Sequence, residues 1–417
     1  MLDIKFIRDN QKLVQENCDS RRVKVDIGEL LGLDDTRRGV IKELEDLRAE
    51  RNKGSKGKPT PEQIEKMKEI GNKIKTLELE LDAAEQKFKE LLMRVPNLTH
   101  PDVPIGGEDD FRVVEEKGTQ PNFSFTPKDH EELLTNLDLI DFERGAKVSG
   151  AKFYFAKRDM VRLNLALIYY GIDVVTKHGY TLMETPDMAK NEILEGIGFN
   201  PRGTETQVYS IENSDMSLIG TAEITVGGYH ANEILDLSGG PKKYVALSHC
   251  FRTEAGAYGR ESKGLYRVHQ FTKLEMFVFC KPEDSEQLHQ ELLAIEQEIA
   301  DGLEIPYRVI DIASGDLGGP AYRKYDIEAW MTMKNGFGEI TSTSNCTDYQ
   351  ARRLNIRYKK EDGTNEFVHT LNGTAIVTSR FPIALVENHQ QEDGSIRIPK
   401  VLQKYIGNET INGVTGH

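Results

Sequence analysis

Residues 244–281 read YVALSHCFRTEAGAYGRESKGLYRVHQFTKLEMFVFCK. Both ends alternate in the manner of strands, and a polar loop with Gly256, Gly259 and Gly264 separates them, so the stretch predicts a long antiparallel hairpin. Side chains on a strand point to alternate faces. Cys250, Arg252 and Glu254 therefore share a face of the first strand. His269, Phe271, Lys273, Glu275, Phe277 and Phe279 share a face of the second. Where those two faces coincide, one surface carries Arg252, Glu254, Phe271 and Glu275. A cation, two carboxylates and an aromatic plate suit a nucleotide together with a zwitterion. The same pattern taken alone also suits a solvated sheet face with paired charges.

Three further segments carry candidate groups. LIGTAEI holds Thr221, Ala222 and Glu223. A carboxylate there would bind an ammonium group and a hydroxyl would pair with a ligand hydroxyl. A threonine two residues before a glutamate equally marks a helix start. GFGEITSTSN supplies Glu339, Ile340, Thr341 and Ser342. Carboxylate and hydroxyl oxygens suit a hard divalent cation, although a Ser/Thr-rich strand end is also a common surface edge. Strict alternation puts Glu339 and Ser342 on opposite faces, and a bulge or strand end at Thr341 would reunite them. TLNGTAIVTSRFPIALVENHQQ contributes Thr374, then Arg380 at a helix start with Pro382 in its first turn. That is a ready anion site, or else a solvated arginine beside an ordinary proline cap. GIGFNPRG, Gly196 to Gly203, lacks the GxGxxG spacing and the strand–helix context of a dinucleotide fingerprint.

FRTEAGAYGRESKGLYRVHQFTKLE closely resembles motif 2 of the class II aminoacyl-tRNA synthetases, in its seryl-tRNA synthetase form. GTAE, EITSTSN, VTSRF and HPDVPIGGE are similar to that family at the corresponding points, and the resemblance runs from MLDIKFIRDN to LQKYIG. It implies an ATP site of Arg252, Thr253, Glu254, Val268, Phe271, Glu339, Ile340, Thr341, Ser342 and Arg380. Arg252 would meet the α-phosphate and the substrate carboxylate, Glu254 the adenine amino group, and Phe271 the adenine ring. Arg380 would lie over the adenine and against the γ-phosphate. Serine would be held by Thr221, Ala222, Glu223, Arg252, Glu275 and Thr374, and Mg²⁺ with ATP by Glu339 and Ser342. Arg252 and Arg380 are the implied catalytic residues, and no zinc is implied. The chain departs from the usual family wording in four places. TAEITVGGYH lacks the customary proline, Thr341 and Thr343 replace residues of EISSCSN, Thr374 stands for serine, and Ser379 for the glycine of AVGRT.

These groups need elements to position them. Residues 27–95 read as two long helices. In the second, Met67, Ile70, Ile74, Leu77, Leu81, Ala84, Phe88 and Leu91 recur at 3 and 4 residues, a heptad seam. In the first, Leu33, Val40, Leu44 and Leu47 keep the register, while Arg37 and Arg51 break it. GSKGKPTP between them predicts the turn of a helical hairpin, which should project from a body. Its tip carries Arg51, Lys53, Lys56 and Lys58, either a soluble loop tip or a phosphate-backbone contact. By the resemblance this arm grips tRNA. Asn97–Phe111 reads as a linker, so the expected division is 1–110 for the arm and 111–417 for catalysis. A helix fits Asp159–Lys177, with Leu163, Leu165, Leu167, Ile168, Ile172 and Val175 as its apolar side. Pro186 matches the motif 1 proline at the family's dimer interface, implying a homodimer.

Composition sets the outer limits. The chain has 417 residues and a net charge of −14, which argues against broad nonspecific nucleic-acid binding but leaves room for a local basic patch. Cys18, Cys250, Cys280 and Cys346 are too scattered for a zinc site or disulfide framework, so a reduced cytoplasm is expected. No apolar run approaches the ~18 residues of a membrane span. The expected fold is α+β: an antiparallel two-helix coiled-coil arm plus an antiparallel sheet flanked by helices. The implied reaction is serine activation by ATP, then transfer to tRNA-Ser, with tRNA-Sec an open second acceptor. Two rivals stand beside it. One is a seryl-like ligase for carrier proteins, which would lack the arm. The other is a degenerate coiled-coil interaction protein. Class II synthetases for threonine, proline or histidine match the catalytic motifs only in outline, and none matches the arm together with GTAE.

Overall fold

The computed structural model describes residues 1–54, 60–199, 207–255 and 264–413. Lys56, Lys58, Gly203, Gly256 and Gly259 lie outside the described residues. The chain divides into two compact units, Met1–Leu98 and Thr99–His417.

The first unit is helical. Its long elements are α1 (Ile27–Gly54) and α2 (Pro61–Arg94). Thr60 starts α2 with a capping box to Gln63, and Pro61 takes the first turn, where its missing N–H costs nothing. Leu44, Ile70, Ile74 and Leu77 form a buried seam between the two helices, flanked by Val40, Leu47, Met67 and Leu81. At ~1.5 Å per residue α2 is about 50 Å long. Arg37 breaks the apolar register, but it is accommodated. Its guanidinium lies 4.7 Å from the Phe88 ring centre and 2.9 Å from Asp34. Arg48–Glu78 and Lys73–Glu43 pairs at 2.7 Å lace the exposed flanks.

The second unit is built on an eight-stranded sheet: β1 (Arg112–Lys117), β2 (Thr181–Glu184), β3 (Lys242–Phe251), β4 (Gln270–Cys280), β5 (Tyr307–Asp311), β6 (Arg323–Met331), β7 (Gly336–Asn345) and β8 (His369–Val377). Their spatial order is β1-β5-β6-β7-β8-β4-β3-β2. Neighbours run antiparallel except β2, which joins β3 in parallel. Four helices serve the sheet: α3 (Asp159–Lys177), α4 (Ala222–Gly228), α5 (Ser285–Gly302) and α6 (Phe381–His389).

Strand β4 shows how the sheet is filled. Leu274, Met276, Val278 and Cys280 belong to the large core shared with α3 and α5. Phe277 and Phe279 belong to a second core with Ala222 and Ile224 of α4. The latter half of β4 is thus buried on both faces and reads as a continuous apolar run. Its former half keeps Lys273 and Glu275 on the Phe277 face.

α3 spans the residues that its sequence pattern predicts. Leu163, Leu167, Ile168 and Val175 are buried, but Leu165 is 52% exposed. Two residues turn an α-helix by about 200°, so Leu165 cannot share a face with Leu163 and Leu167. It joins Val161 and Tyr169 in an outward apolar stripe. Gly171 lets α3 approach the sheet, because a Cβ there would lie 2.7 Å from Ile376 Cγ1.

Leu167 is fully buried in this interface. Leu167→Ala should cost about 2–5 kcal/mol of stability. Urea denaturation followed by the fluorescence of Trp330, the sole tryptophan, measures it. An unchanged midpoint would contradict the packing described.

Candidate active site

The register of β3 and β4 settles which faces coincide. Cys250 stands opposite Phe271, Ser248 opposite Lys273, and Ala246 opposite Glu275. The pairing continues one residue past β3, where Arg252 N–H donates to His269 O at 3.0 Å. The backbone then turns through Glu254, whose φ is +51°. Glu254 pairs with Arg267 at 3.2 Å. The Arg252 guanidinium lies 5.3 Å from the Phe271 ring centre, and its Nε donates to Gly220 O at 3.2 Å.

Two adjoining cavities open on this surface. The first, about 440 Å³, is lined by Arg252, Glu254, Tyr266, Val268, Phe271, Ile340 and Arg380, among others. Arg380 immediately precedes α6, with Pro382 in the first turn. Its guanidinium lies 5.0 Å from the Tyr266 ring centre and 2.8 Å from Glu339 Oε1. Apolar and aromatic walls with cations on two sides suit a flat, polyanionic ligand.

The second cavity, about 930 Å³, shares Arg252, Lys273, Glu339 and Thr374 with the first, and adds Thr221, Glu223, Glu275 and Ser342. Thr221 is the N-cap of α4 and accepts from Glu223 N–H at 3.2 Å. The helix-start reading and the cavity reading of this triplet are therefore both true. Lys273 Nζ lies 2.6 Å from Glu275 and 3.3 Å from the Thr221 hydroxyl. Thr374 stands opposite Glu275 and donates to it at 3.4 Å. Glu223 accepts from Gln350 at 2.8 Å and Asn372 at 3.0 Å. Burial, then the charge of Glu275, pushes the Glu223 carboxyl up to about 7. Burial raises Glu275 too, against the opposing pull of Lys273.

A bulge explains how Glu339 and Ser342 reach one cavity. Thr341 pairs with Ile327 and Glu339 with Glu328, which leaves Ile340 as an extra residue in β7. The irregularity lies one residue before the expected position. Thr341 is turned to the far face, where its buried hydroxyl donates to Glu296 at 2.9 Å. Its side chain lines neither cavity. Ala222 is fully buried in the first turn of α4, and Thr253 also lies outside both linings. Asp326, directly across from Ser342, is buried, and its Oδ1 has no hydrogen-bond partner among the described residues. Burial, opposed by Lys324, pushes it up to about 7.

Lys273, Tyr266, Asp326 and Asn372 are cavity groups or neighbours that sequence reasoning did not single out. Lys273 was legible, since it precedes Glu275 by two residues on the same strand face. Tyr266 and Asp326 carried no sequence signal of their own.

The seryl-tRNA synthetase N-terminal domain model matches residues 1–99, and the class II tRNA synthetase core domain model (G, H, P, S and T) matches residues 207–389. A serine–tRNA ligase of Treponema denticola is 54% identical over 421 residues, which cover 99% of this chain and 100% of that one. The chain belongs to the seryl-tRNA synthetase family. Two solved family structures cover nearly all of it. The seryl-tRNA synthetase from Pyrococcus horikoshii complexed with ATP has a TM-score of 0.90 and 42% identity, covering 99% of this chain and 100% of that one. The cytoplasmic serine–tRNA ligase of Naegleria fowleri in complex with AMP has a TM-score of 0.85 and 33% identity, covering 100% and 99%. The core-domain match spans the sheet strands that build both cavities, and the N-terminal match spans the first compact unit.

The Glu223 shift has a sign that can be checked. Its folded value is raised from 4.5 to about 7. The neutral carboxyl's contribution is thus complete below the ordinary carboxylate range and is lost as pH rises through about 7. Glu223→Gln, which stays neutral, should stabilise the ligand-free protein more at pH 8 than at pH 6, by about 1 kcal/mol, since part of the penalty is already present at pH 6. Denaturation at the two pH values tests this, and a difference of opposite sign would overturn the assignment.

Proposed function

We propose that this chain activates serine with ATP and transfers it to tRNA-Ser. The observation that carries the reading is a pair of adjoining cavities joined at Arg252. On one side stand an aromatic plate and Glu254, and on the other the carboxylates Glu223 and Glu275.

The nucleotide belongs in the first cavity, with adenine on Phe271 and Val268 and its amino group toward Glu254. Serine belongs in the second. Its ammonium group supplies a cation that Glu223 lacks among the described residues, and its hydroxyl meets Thr221, Thr374 and Glu275. Alanine would leave those polar groups unpaired, which is a physical basis for rejecting it. Arg252 lines both cavities, where it can hold the serine carboxylate and the α-phosphate together. The carboxylate is already a nucleophile at neutral pH. It attacks the α-phosphorus and pyrophosphate leaves; a ribose hydroxyl of the terminal adenosine of tRNA then attacks the seryl carbonyl, and AMP leaves. Catalysis rests on positioning and charge stabilisation by Arg252 and Arg380. Arg380 must exchange its contact with Glu339 for one with phosphate.

Glu339 and Ser342 would hold Mg²⁺. The fit is supported by the bulge at Ile340, which turns both oxygens toward one cavity, with the unpartnered Asp326 Oδ1 across from Ser342. The ion would neutralise charge on the ATP phosphates. Thr341 would contribute through its backbone alone.

In this reading residues 1–110 bind tRNA and residues 111–417 catalyse. Arg51 and Lys53, in the last turn of α1, support the first role. A homodimer is supported by the outward stripe of Val161, Leu165 and Tyr169 on α3 and by β2 at the sheet edge. Four free, buried cysteines fit a cytoplasmic enzyme.

ATP–pyrophosphate exchange with each of the twenty amino acids should respond to serine alone and stop when EDTA removes the divalent ion. Arg252→Ala should lower the exchange rate by about 10²–10³-fold. Exchange with a different amino acid would place the wrong ligand at Thr221, Glu275 and Thr374. No exchange by folded protein with Mg²⁺ would overturn the proposal.

A further inference from the structure

Three chain segments frame the nucleotide cavity, and they meet again behind it. Tyr266, Arg267 and Val268 enter β4, Arg380 opens α6, and β7 delivers Glu339. We propose that His130 and Glu387 form a buried positioning pair that fixes these three segments relative to one another. The proposal rests on the reading of this cavity as the ATP site.

Both side chains are buried, and neither lines either cavity. Glu387 sits two turns into α6, seven residues beyond Arg380. Its Oε1 lies 2.9 Å from His130 Nδ1 and accepts the His130 backbone N–H at 3.2 Å. Its Oε2 accepts the backbone N–H of Met333 at 3.2 Å, in the turn between β6 and β7. On the far side of the ring, Leu265 N–H donates to His130 Nε2 at 3.2 Å. A nitrogen that accepts carries no hydrogen, so the imidazole is neutral and its proton is on Nδ1, aimed at Glu387. The ring therefore runs as a bridge from α6 to the backbone just before Tyr266. Gly264 lets that backbone come close: its φ is +62°, and a Cβ would lie 2.2 Å from Nε2.

The consequence reaches the cavity directly. Tyr266 follows Leu265 by one residue, and its ring stacks with the Arg380 guanidinium at 5.0 Å. Arg267, the next residue, pairs with Glu254. Loss of the bridge frees the Tyr266 segment from α6 and loosens the arginine stack and the Glu254 pair together. The two cavities share Arg252 and Glu339, but the groups assigned to the serine hydroxyl and ammonium, Thr221, Glu223, Glu275 and Thr374, stand on β4, β8 and the start of α4, and none of them hydrogen-bonds to the bridge. Their geometry should survive.

The test is steady-state pyrophosphate exchange on the full chain, with the KM for ATP and for serine measured separately. Exchange by the unaltered protein establishes the underlying ATP reading first, so failure there is distinct from failure here. His130→Ala should raise the KM for ATP about tenfold or more while the KM for serine stays within about twofold. His130→Gln, whose side-chain oxygen can accept from Leu265 N–H, should recover much of the ATP affinity. Glu387→Gln presents one acceptor where three N–H groups converge and should behave like the alanine variant. Equal rises in both KM values would mean general loosening and overturn the proposal. So would an unchanged KM for ATP, or a His130→Gln variant no better than His130→Ala. Should His130→Ala fail to fold, His130→Gln and hydrogen exchange at the Leu265 amide of the unaltered protein decide. An unprotected Leu265 amide there would overturn it alone.

Discussion

The Lys273 ammonium and the Glu275 carboxylate lie 2.6 Å apart in the middle of the sheet, and little water reaches either. A buried ion pair is held only if nearby hydrogen bonds help offset the cost of desolvation. Thr221 and Thr374 supply them, one from a helix start and the other from the neighbouring strand. This pair sets the charge of everything around it. Lys273 is paired with Glu275, so Glu223 is left with the amides of Gln350 and Asn372 and, among the described residues, no cation in contact. Burial, and then the charge of Glu275, raises its affinity for a proton. A ligand bringing its own ammonium group supplies that cation, which is why the cavity suits an amino acid better than a neutral molecule.

The space itself comes from interrupted pairing. The ladder between β7 and β8 runs only from Asn345 to Thr343 on one strand and from Leu371 to Gly373 on the other. The next residues, Ser342 and Thr374, both line the second cavity. Each strand carries a bulge just beyond: Ile340 in β7, and Ala375 in β8, where Thr374 pairs with Glu275 and Ile376 with Leu274. Bulges bend a strand and sharpen its twist. Here they end the pairing at one level and turn Glu339 and Ser342 inward. A regular sheet would have closed the gap and separated those two oxygens.

Much of this was legible in the sequence, and the limits have identifiable causes. Period-two alternation showed that Arg252, Phe271 and Glu275 share a surface, and the register of the strands bears this out. Heptad spacing drew the seam of α2, and apolar spacing gave the bounds of α3. Where reasoning strayed, a local irregularity or a long-range partner was responsible. The resemblance put Thr341 with the ATP residues, although its hydroxyl points to Glu296, and alternation could not say that the bulge falls at Ile340 rather than Thr341. Leu165 was grouped with the buried face because its type is apolar, whereas the helical period puts it outside. Asp326 and Glu387 depend on partners distant in the chain, which no spacing rule reveals.

The departures from the usual family wording sort by face. Thr343 is buried; its hydroxyl donates to Asn372 O, and His289 of α5 lies 3.2 Å from its carbonyl. Thr341 meets Glu296 on the same helix. A methyl at either position is absorbed behind the sheet, against α5, and changes packing without entering a cavity. Thr374 and Ser379 differ, because both line the first cavity and Thr374 lines the second as well. The Thr374 methyl occupies volume beside Glu275 that a serine would leave open, while its hydroxyl still donates to that carboxylate. Ser379 places a hydroxymethyl group next to Arg380 where a glycine would place nothing. Of these four positions, Thr374 and Ser379 are the two that line a cavity.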